Sequence, residues 1–359
     1  MLTIVDWGDG FGGPGPGGRR VALDAEGLVL KKGKFWISDE YTGNIYAFDS
    51  KGKMKNSLRT PPALTPQRHG IYSFNSGSPP AWDPYRAISP VQPDVGRTNN
   101  HGLEGLTSSP GGSYIYAMLE SATVQDNGIS SKTRRNTRLF IFRKYKQGWL
   151  LRAEYIVRLP VLSDGQVAIQ SELLYVSPNQ FLVLVGDSNA GRGRSSSRSL
   201  YRNIDIIDIS TATNLVHARA NELGGKIVNS QGEFQEHVLE AEYCPWLNIN
   251  NNEQLARFGL HNDGPQDYFL LNEKWESMAL VPVHKDDYIG RTPFSSTSDG
   301  TDRQFYLITF SDNQYITQDG KSNISSSSLV LASAGPSLTS CVDRLSQRWH
   351  VLVFRQFGP

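Results

Sequence analysis

Gly102–Ser121 reads GLEGLTSSPGGSYIYAMLES. An apolar run holding Glu104 meets a Pro-Gly-Gly turn, and a second apolar run returns to Glu120. A strand, a tight turn and a returning strand explain this pattern, because Gly and Pro punctuate two stretches rich in β-formers. Each outer end of the hairpin then carries an acid.

Three more stretches share the plan: DAEGLVLKKGKFWISDE (Asp24–Glu40), QSELLYVSPNQFLVLVGDS (Gln170–Ser188), and KWESMALVPV (Lys274–Val283), joined across an insertion to RQFYLITFSDN (Arg303–Asn313). The leading acids are Glu26, Glu104, Glu172 and Glu276; the closing acids are Asp39 with Glu40, Glu120, Asp187 and Asp312. Further strands are expected at Arg138–Arg143 and Asn203–Ile209, whereas helical periodicity is scarce, Glu233–Glu242 being the best candidate. Repeated hairpins with strands between them predict an all-β chain, a six-bladed β-propeller with long inter-strand loops and about 60 residues per blade. Residues 1–359 would form one such domain, behind a Gly/Pro-rich segment 1–23.

In a propeller the open ends of these hairpins lie at one end of the central channel, so acids of several blades would converge. Carboxylates so gathered repel one another unless a cation, a basic side chain or backbone N–H groups hold them. The alternative is that each Glu caps its own blade.

With 36 Lys+Arg against 35 Asp+Glu, the net charge of +1 gives no reason to expect a nucleic-acid partner. No apolar run reaches the ~18 residues of a membrane helix, and the start of the chain lacks the basic and apolar regions of a signal peptide. The expectation is a chain without membrane or nucleic-acid partners. Cys244 and Cys341 either pair or remain buried thiols, and the sequon Asn323-Ile324-Ser325 matters only in the secretory pathway.

The segments DAEGLVL with FWISDEY, NNHGLEGLTSSPGG, RRNTRLFIF, QSELLYVSPNQFLVLVGDS, LYRNIDIIDI, FGLHNDGPQD, LLNEKWESMALVPV and SDNQYITQDG resemble the fungal branch of the phytase-like family, also described as the esterase-like domain of phytase. The resemblance runs in order from Asp24 to Gly320 and resumes at VLVF near the C-terminus. It implies a propeller fold, secretion, and a calcium-linked or hydrolytic activity. Ala25, Thr42-Gly43, Gly186, Asp263-Gly264 and Gln314 depart from the family's pattern, which weakens a direct transfer of metal-dependent hydrolysis. The segment before Asp24 is also shorter than the family leads one to expect.

No GxSxG elbow, HExxH motif, P-loop or EF-hand loop is present. Ser171 beside Glu172 reads better as a turn residue than as a nucleophile. His101 and His261 are donors or proton shuttles, or else loop histidines. Arg134-Arg135 and Tyr201-Arg202 offer forked donors for an anionic oxygen, or pair with the acids. Trp36, Tyr41, Tyr116 and Trp275 floor an apolar pocket or fill the core. Gly191–Arg198, GRGRSSSR, reads as a mobile loop over the channel mouth.

Three functions follow. The first is a metal-free intermolecular hetero-Diels-Alder addition of a quinone methide to a terpene alkene, as in the fungal pericyclases of tropolonic sesquiterpenoid biosynthesis that the chain also resembles. It would use shape and hydrogen-bond polarisation and no cofactor. Arg135, His101, Tyr201 and His261 would be its donors, and Trp275, Tyr41, Arg202 and Asn100 would bind apolar small-molecule substrates. The second is a calcium-linked phosphoester or carboxylic-ester hydrolase, with Glu26, Glu104, Glu172, Glu276 and Asp312 as oxygen ligands. The third is a non-enzymatic binding propeller. The sequence reading prefers the first.

Overall fold

A computed structural model describes residues 23–74, 88–188, 190–229, 231–234, 237–282, 304–312, 317–318, 321–322, 327–334 and 350–355. The chain divides into two compact units. Unit 1 comprises Met1–Val161, Gly165–Val167 and Ile209–Glu242; unit 2 comprises Leu162–Asp164, Ala168–Asp208 and Tyr243–Pro359.

In unit 1, β1 (Ala25–Lys31), β2 (Lys34–Asp39), β3 (Ile45–Asp49) and β4 (Met54–Leu58) form an antiparallel meander in chain order. A two-residue hairpin follows, β5 (Gln67–Arg68) with β6 (Ile71–Tyr72). The next meander is built from β7 (Leu103–Ser108), β8 (Tyr114–Leu119), β9 (Asn136–Tyr145) and β10 (Gly148–Arg158). The third sheet runs through β11 (Ile169–Ser177), β12 (Gln180–Gly186), β13 (Arg202–Asp208) and β14 (Glu242–Asn248). The fourth holds β15 (Lys274–Pro282) and β16 (Gln304–Asp312), then, past the small hairpin β17 (Thr317–Gln318) with β18 (Lys321–Ser322), β19 (Ser327–Ala334) and β20 (His350–Arg355). The fold is thus all-β, built of the four-stranded antiparallel sheets expected of propeller blades. The strands expected at Arg138–Arg143 and Asn203–Ile209 are β9 and β13.

Continuous rather than alternating apolar runs mark strands buried on both faces. Phe181–Val185 in β12 is such a run, and all five residues are buried. Unit 1 packs Trp36, Leu106, Phe140 and Phe142 into one cluster, with Trp36 edge-on to Trp149 at 5.1 Å. Unit 2 packs Leu182, Leu184, Ile204, Ile206 and Trp275 into another.

Among the described residues of Glu233–Glu242 no helix forms. Phe234 bridges to Val228, and His237 sits at φ 70, a left-handed conformation that interrupts helical hydrogen bonding. Phe234 and Val238 instead pack as loop residues on Ile156, Leu215 and Ile227. The helix that does form, α1 (Asn252–Ala256), is a short one nucleated by Asn251, whose side chain accepts from the Glu253 and Gln254 amides. Cys244 is disulfide-bonded, and Cys341, outside the described residues, is the only other cysteine in the sequence.

Candidate functional site

All four hairpins slip register at or beside the leading acid. The irregularities fall between Ala25 and Leu28, Leu103 and Leu106, Gln170 and Glu172, and Trp275 and Ser277. A β-bulge adds a residue to one strand and re-aims the side chains around it. The shared motif is therefore a bulged open end, and its acids meet two different fates.

In unit 1 they meet each other. Gly27 of β1 lies so close to β7 that a Cβ there would stand 2.5 Å from Leu106 Cβ and 2.6 Å from the Glu104 carbonyl oxygen. The buried Ser38 hydroxyl stitches the same junction, accepting from the Gly27 amide at 2.8 Å and donating to the Glu104 carbonyl at 2.9 Å. With the two sheets in contact, carboxylate oxygens of Asp24, Glu26 and Glu40 fall within 4.8 Å of one another, as do those of Glu40, Glu104 and Glu120. Glu40 belongs to both groups. Glu40, Glu104 and Glu120 are buried, while Asp24 and Glu26 are half-buried.

The electrostatics are strained accordingly. Burial, then the negative charges of Glu120, Asp24 and Glu26, push the Glu40 carboxyl well above its ordinary range. The Gly102 amide donates to it at 3.4 Å. Glu120 is held by His101 Nδ1, and His101 Nε2 lies 3.3 Å from Arg134 Nη1. A guanidinium only donates, so Nε2 accepts and the proton resides on Nδ1, donated to Glu120. Arg134 is anchored to the Val167 carbonyl through Nε (3.4 Å) and Nη2 (3.3 Å), and burial lowers its pKa. Arg97, also buried, donates to the carbonyls of Tyr41, Thr98 and Phe74. Burial brings its pKa down to about 10 against the opposing pull of Glu40 and Asp39. Asp39, next to Glu40, is a turn cap, accepting from the amides of Asp24, Tyr41 and Thr42 and from the Thr42 hydroxyl.

In unit 2 the acids hold their own neighbourhoods. Glu172 accepts from the Leu173 amide at 2.7 Å, and Glu276 pairs with Lys274 at 2.5 Å. Asp187 accepts from the Ser199 hydroxyl at 2.5 Å and from the Leu200 amide. Among the described residues, groups of three close ligating side chains occur only in unit 1. Of the residues expected as ligands, Glu26 and Glu104 fall in these groups, together with Asp24, Glu40 and Glu120. Glu172 instead accepts from a backbone amide and Glu276 pairs with a lysine, and the Asp312 side chain lies outside the described residues. The closing acids were visible in the motif; what the sequence lacked was a signal that Glu40, rather than Asp39, turns inward.

The other expected residues are dispersed. Tyr201 donates to the buried Asp205 at 2.6 Å, as does Tyr243 at 2.6 Å, and burial raises both phenols. Arg202 is buried, donating to the Ala190 carbonyl and Asn250, with burial lowering it to about 10. His261 braces its own loop, with Nδ1 at the Asp263 carbonyl and Nε2 2.9 Å from Asp267. Trp275 is core, its indole donating to the Asn272 carbonyl, and Ser171 donates to the Trp275 carbonyl. Arg135 binds the Leu159 carbonyl at 2.7 Å, whereas Arg134 contacts His101, the partner of Glu120. Tyr41 contributes backbone groups to Arg97 and Asp39, and Asn100 is an exposed turn residue at φ 53. The Gly191–Arg198 loop is pinned rather than loose: Arg192 donates to the Tyr268 carbonyl and lies over its ring, Arg194 pairs with Glu273, and the Gly193 amide donates to Gln266.

Four-stranded antiparallel sheets carrying a buried, oxygen-only cluster of carboxylates define an all-β protein with a candidate site for a hard cation. The chain belongs to the phytase-like family: residues 9–272 match the family described as having the esterase-like activity of phytase. It is similar to an uncharacterized secreted protein of the fungus Arthroderma benhamiae, 41% identical over 335 residues. That alignment covers 90% of this chain and 63% of the relative, so the chain spans less than two thirds of the relative's length. A crystal structure from Bacteroides fragilis named for 6-phosphogluconolactonase aligns at 7% identity over 81% of this chain and 67% of that one, with a TM-score of 0.21, too low to carry an argument. No helix among the described residues is long and apolar enough to cross a membrane.

Proposed function

We propose that the chain is a secreted, calcium-dependent hydrolase acting on a phosphoester or carboxylic ester. The observation that carries this reading is the sharing of Glu40 between two groups of carboxylates. Beyond the Gly102 amide and the nearby Arg97 charge, a buried acid faced by Glu120, Asp24 and Glu26 is stabilised further by a proton or by a cation. Carboxylate oxygen is the donor type calcium takes, in sets of about 6–8. A bound cation supplies Lewis-acid polarisation of an ester oxygen and lowers the pKa of a bound water. His101 fixes the orientation of Glu120 from outside the cluster, and Arg134 in turn holds His101 at its other ring nitrogen. The secreted fungal relative and the disulfide at Cys244 support an oxidising, extracellular setting.

This reading is preferred to the metal-free cycloaddition because the donors named for the latter already serve protein partners. Tyr201 holds Asp205, both ring nitrogens of His261 brace a loop, and Arg135 binds a backbone carbonyl. The test is calorimetry with calcium on chelator-treated protein, followed by hydrolysis of p-nitrophenyl phosphate and p-nitrophenyl acetate with and without the ion. Saturable binding that raises the melting temperature, weakened by Glu40→Gln and Glu104→Gln, together with calcium-dependent release of p-nitrophenol, is expected. A folded protein that binds no calcium would refute the proposal.

A further inference from the structure

At the turn end of the unit 1 sheets, away from the acids, charge accumulates with the opposite sign. The β1–β2 turn carries Lys31, Lys32 and Lys34, and the β3–β4 turn carries Lys51, Lys53 and Lys55. Arg143, Lys144 and Lys146 flank the β9–β10 turn. Apart from Lys31, which is half-buried, all of these side chains are exposed. The fold places them side by side. A Cβ on Gly112, in the β7–β8 turn, would touch Lys31 Cγ at 2.9 Å, and the Lys144 amide donates to Ser113 of that same turn at 2.9 Å. Lys34 is cross-strand from Asp49, the acid among these turns, which pairs with Lys55 at 3.0 Å. The balanced net charge of the chain hides this separation. β1 spans 7 residues, so the carboxylates at its start and the lysines at its end stand about 20 Å apart at ~3.3 Å per residue. Two such charge groups, separated by more than the ~10 Å screening length at 0.1 M salt, do not cancel.

We infer that this rim is a binding face for an acidic polysaccharide, a linear polymer bearing carboxylate or sulfate groups. The residues between the strands, Lys32–Gly33, Ser50–Lys53, Ser109–Ser113 and Lys146–Gln147, include no large apolar side chain to insert into a bilayer. The nearby aromatic rings of Tyr114 and Tyr145 are each faced by the Arg143 guanidinium, at 5.5 and 5.1 Å, rather than left open to stack on bases. Lysine dominates, a mobile point charge suited to a flexible polyanion more than to forked recognition of one phosphate. This inference is independent of hydrolysis and of the cation site.

The experiment is binding of polygalacturonate by the full chain, in chelator so that calcium cannot bridge the polymer, at low and at physiological salt. Wild type should bind with an affinity that falls steeply as salt rises. Lys31→Gln/Lys32→Gln/Lys34→Gln and, separately, Lys144→Gln/Lys146→Gln should each weaken binding about tenfold and flatten the salt dependence. Lys226→Gln, an exposed lysine outside these turns, should bind as wild type does. Equal binding by wild type and both rim variants, with all three melting alike, would overturn the inference. So would tighter binding to duplex DNA or to phosphatidylglycerol vesicles than to the polysaccharide.

Discussion

A Cβ placed on Gly102 would stand 2.0 Å from the carbonyl oxygen of Glu40 and 2.4 Å from its Cα. Glu40 directly follows β2 and Gly102 directly precedes β7, so the missing side chain at Gly102 is what lets the ends of two sheets of unit 1 approach beside the cluster. Gly102→Ala must push the sheets apart. Overpacking of this kind costs about 1–3 kcal/mol, to be read from denaturant melts, and calcium affinity should fall with it. A Gly102→Ala protein of unchanged stability and affinity would show that the junction is not needed.

Glu40 also sets a pH dependence. Its pKa is raised in the folded state from the ordinary 4.5, so between 4.5 and the folded value the native protein binds the proton more tightly than the unfolded chain does. Stability of the chelator-treated protein should therefore be highest, as far as Glu40 is concerned, below pH 4.5 and fall as pH rises through the folded value. Glu40→Gln should remove that loss and raise the melting temperature at neutral pH without calcium. A variant whose pH–stability curve overlays wild type would count against the assignment.

Glu172→Gln separates the two fates of the shared motif. Because Glu172 accepts from the Leu173 amide rather than joining the cluster, its substitution should leave calcium affinity as it is. Calorimetry showing a loss equal to that of Glu104→Gln would place Glu172 among the ligands.

Arg138 is fully buried between Asp126 (2.7 Å) and Glu154 (2.9 Å), and also donates to the carbonyls of Ala220 and Gly225. Arg138→Met would leave two buried carboxylates without their partner, a change that costs about 3–5 kcal/mol. Hydrogen exchange should locate the loosening in the 219–228 loop, whose Ile227 amide is also bound to Asp126.

Tyr201→Phe distinguishes a structural tyrosine from a catalytic one. Asp205 would keep Tyr243, Asn203 and the Trp246 amide, so the expected cost is about 1–3 kcal/mol of stability. Ester hydrolysis by the calcium-loaded protein should persist, measured below the variant's melting temperature; its loss would return Tyr201 to the chemistry.

Hairpins and the acids at their open ends were legible because strand periodicity and turn residues are local signals, carried within each strand and its flanking turns. Whether Cys244 pairs was open by the same logic, since nothing local to a cysteine decides it. The helix expected at Glu233–Glu242 gave way to a bridge from Phe234 to Val228 and to a positive φ at His237, neither of which local composition encodes. By itself, then, the sequence determined strands, turns and a repeated acidic motif. Which acids meet was decided only in three dimensions, where Gly27 and Gly102 let two sheets approach and left Glu172 and Glu276 to neighbours of their own. The same holds for the basic rim: charges dispersed along the chain sum to nearly zero, and only the stacking of turns at one end of the sheets turns them into a field.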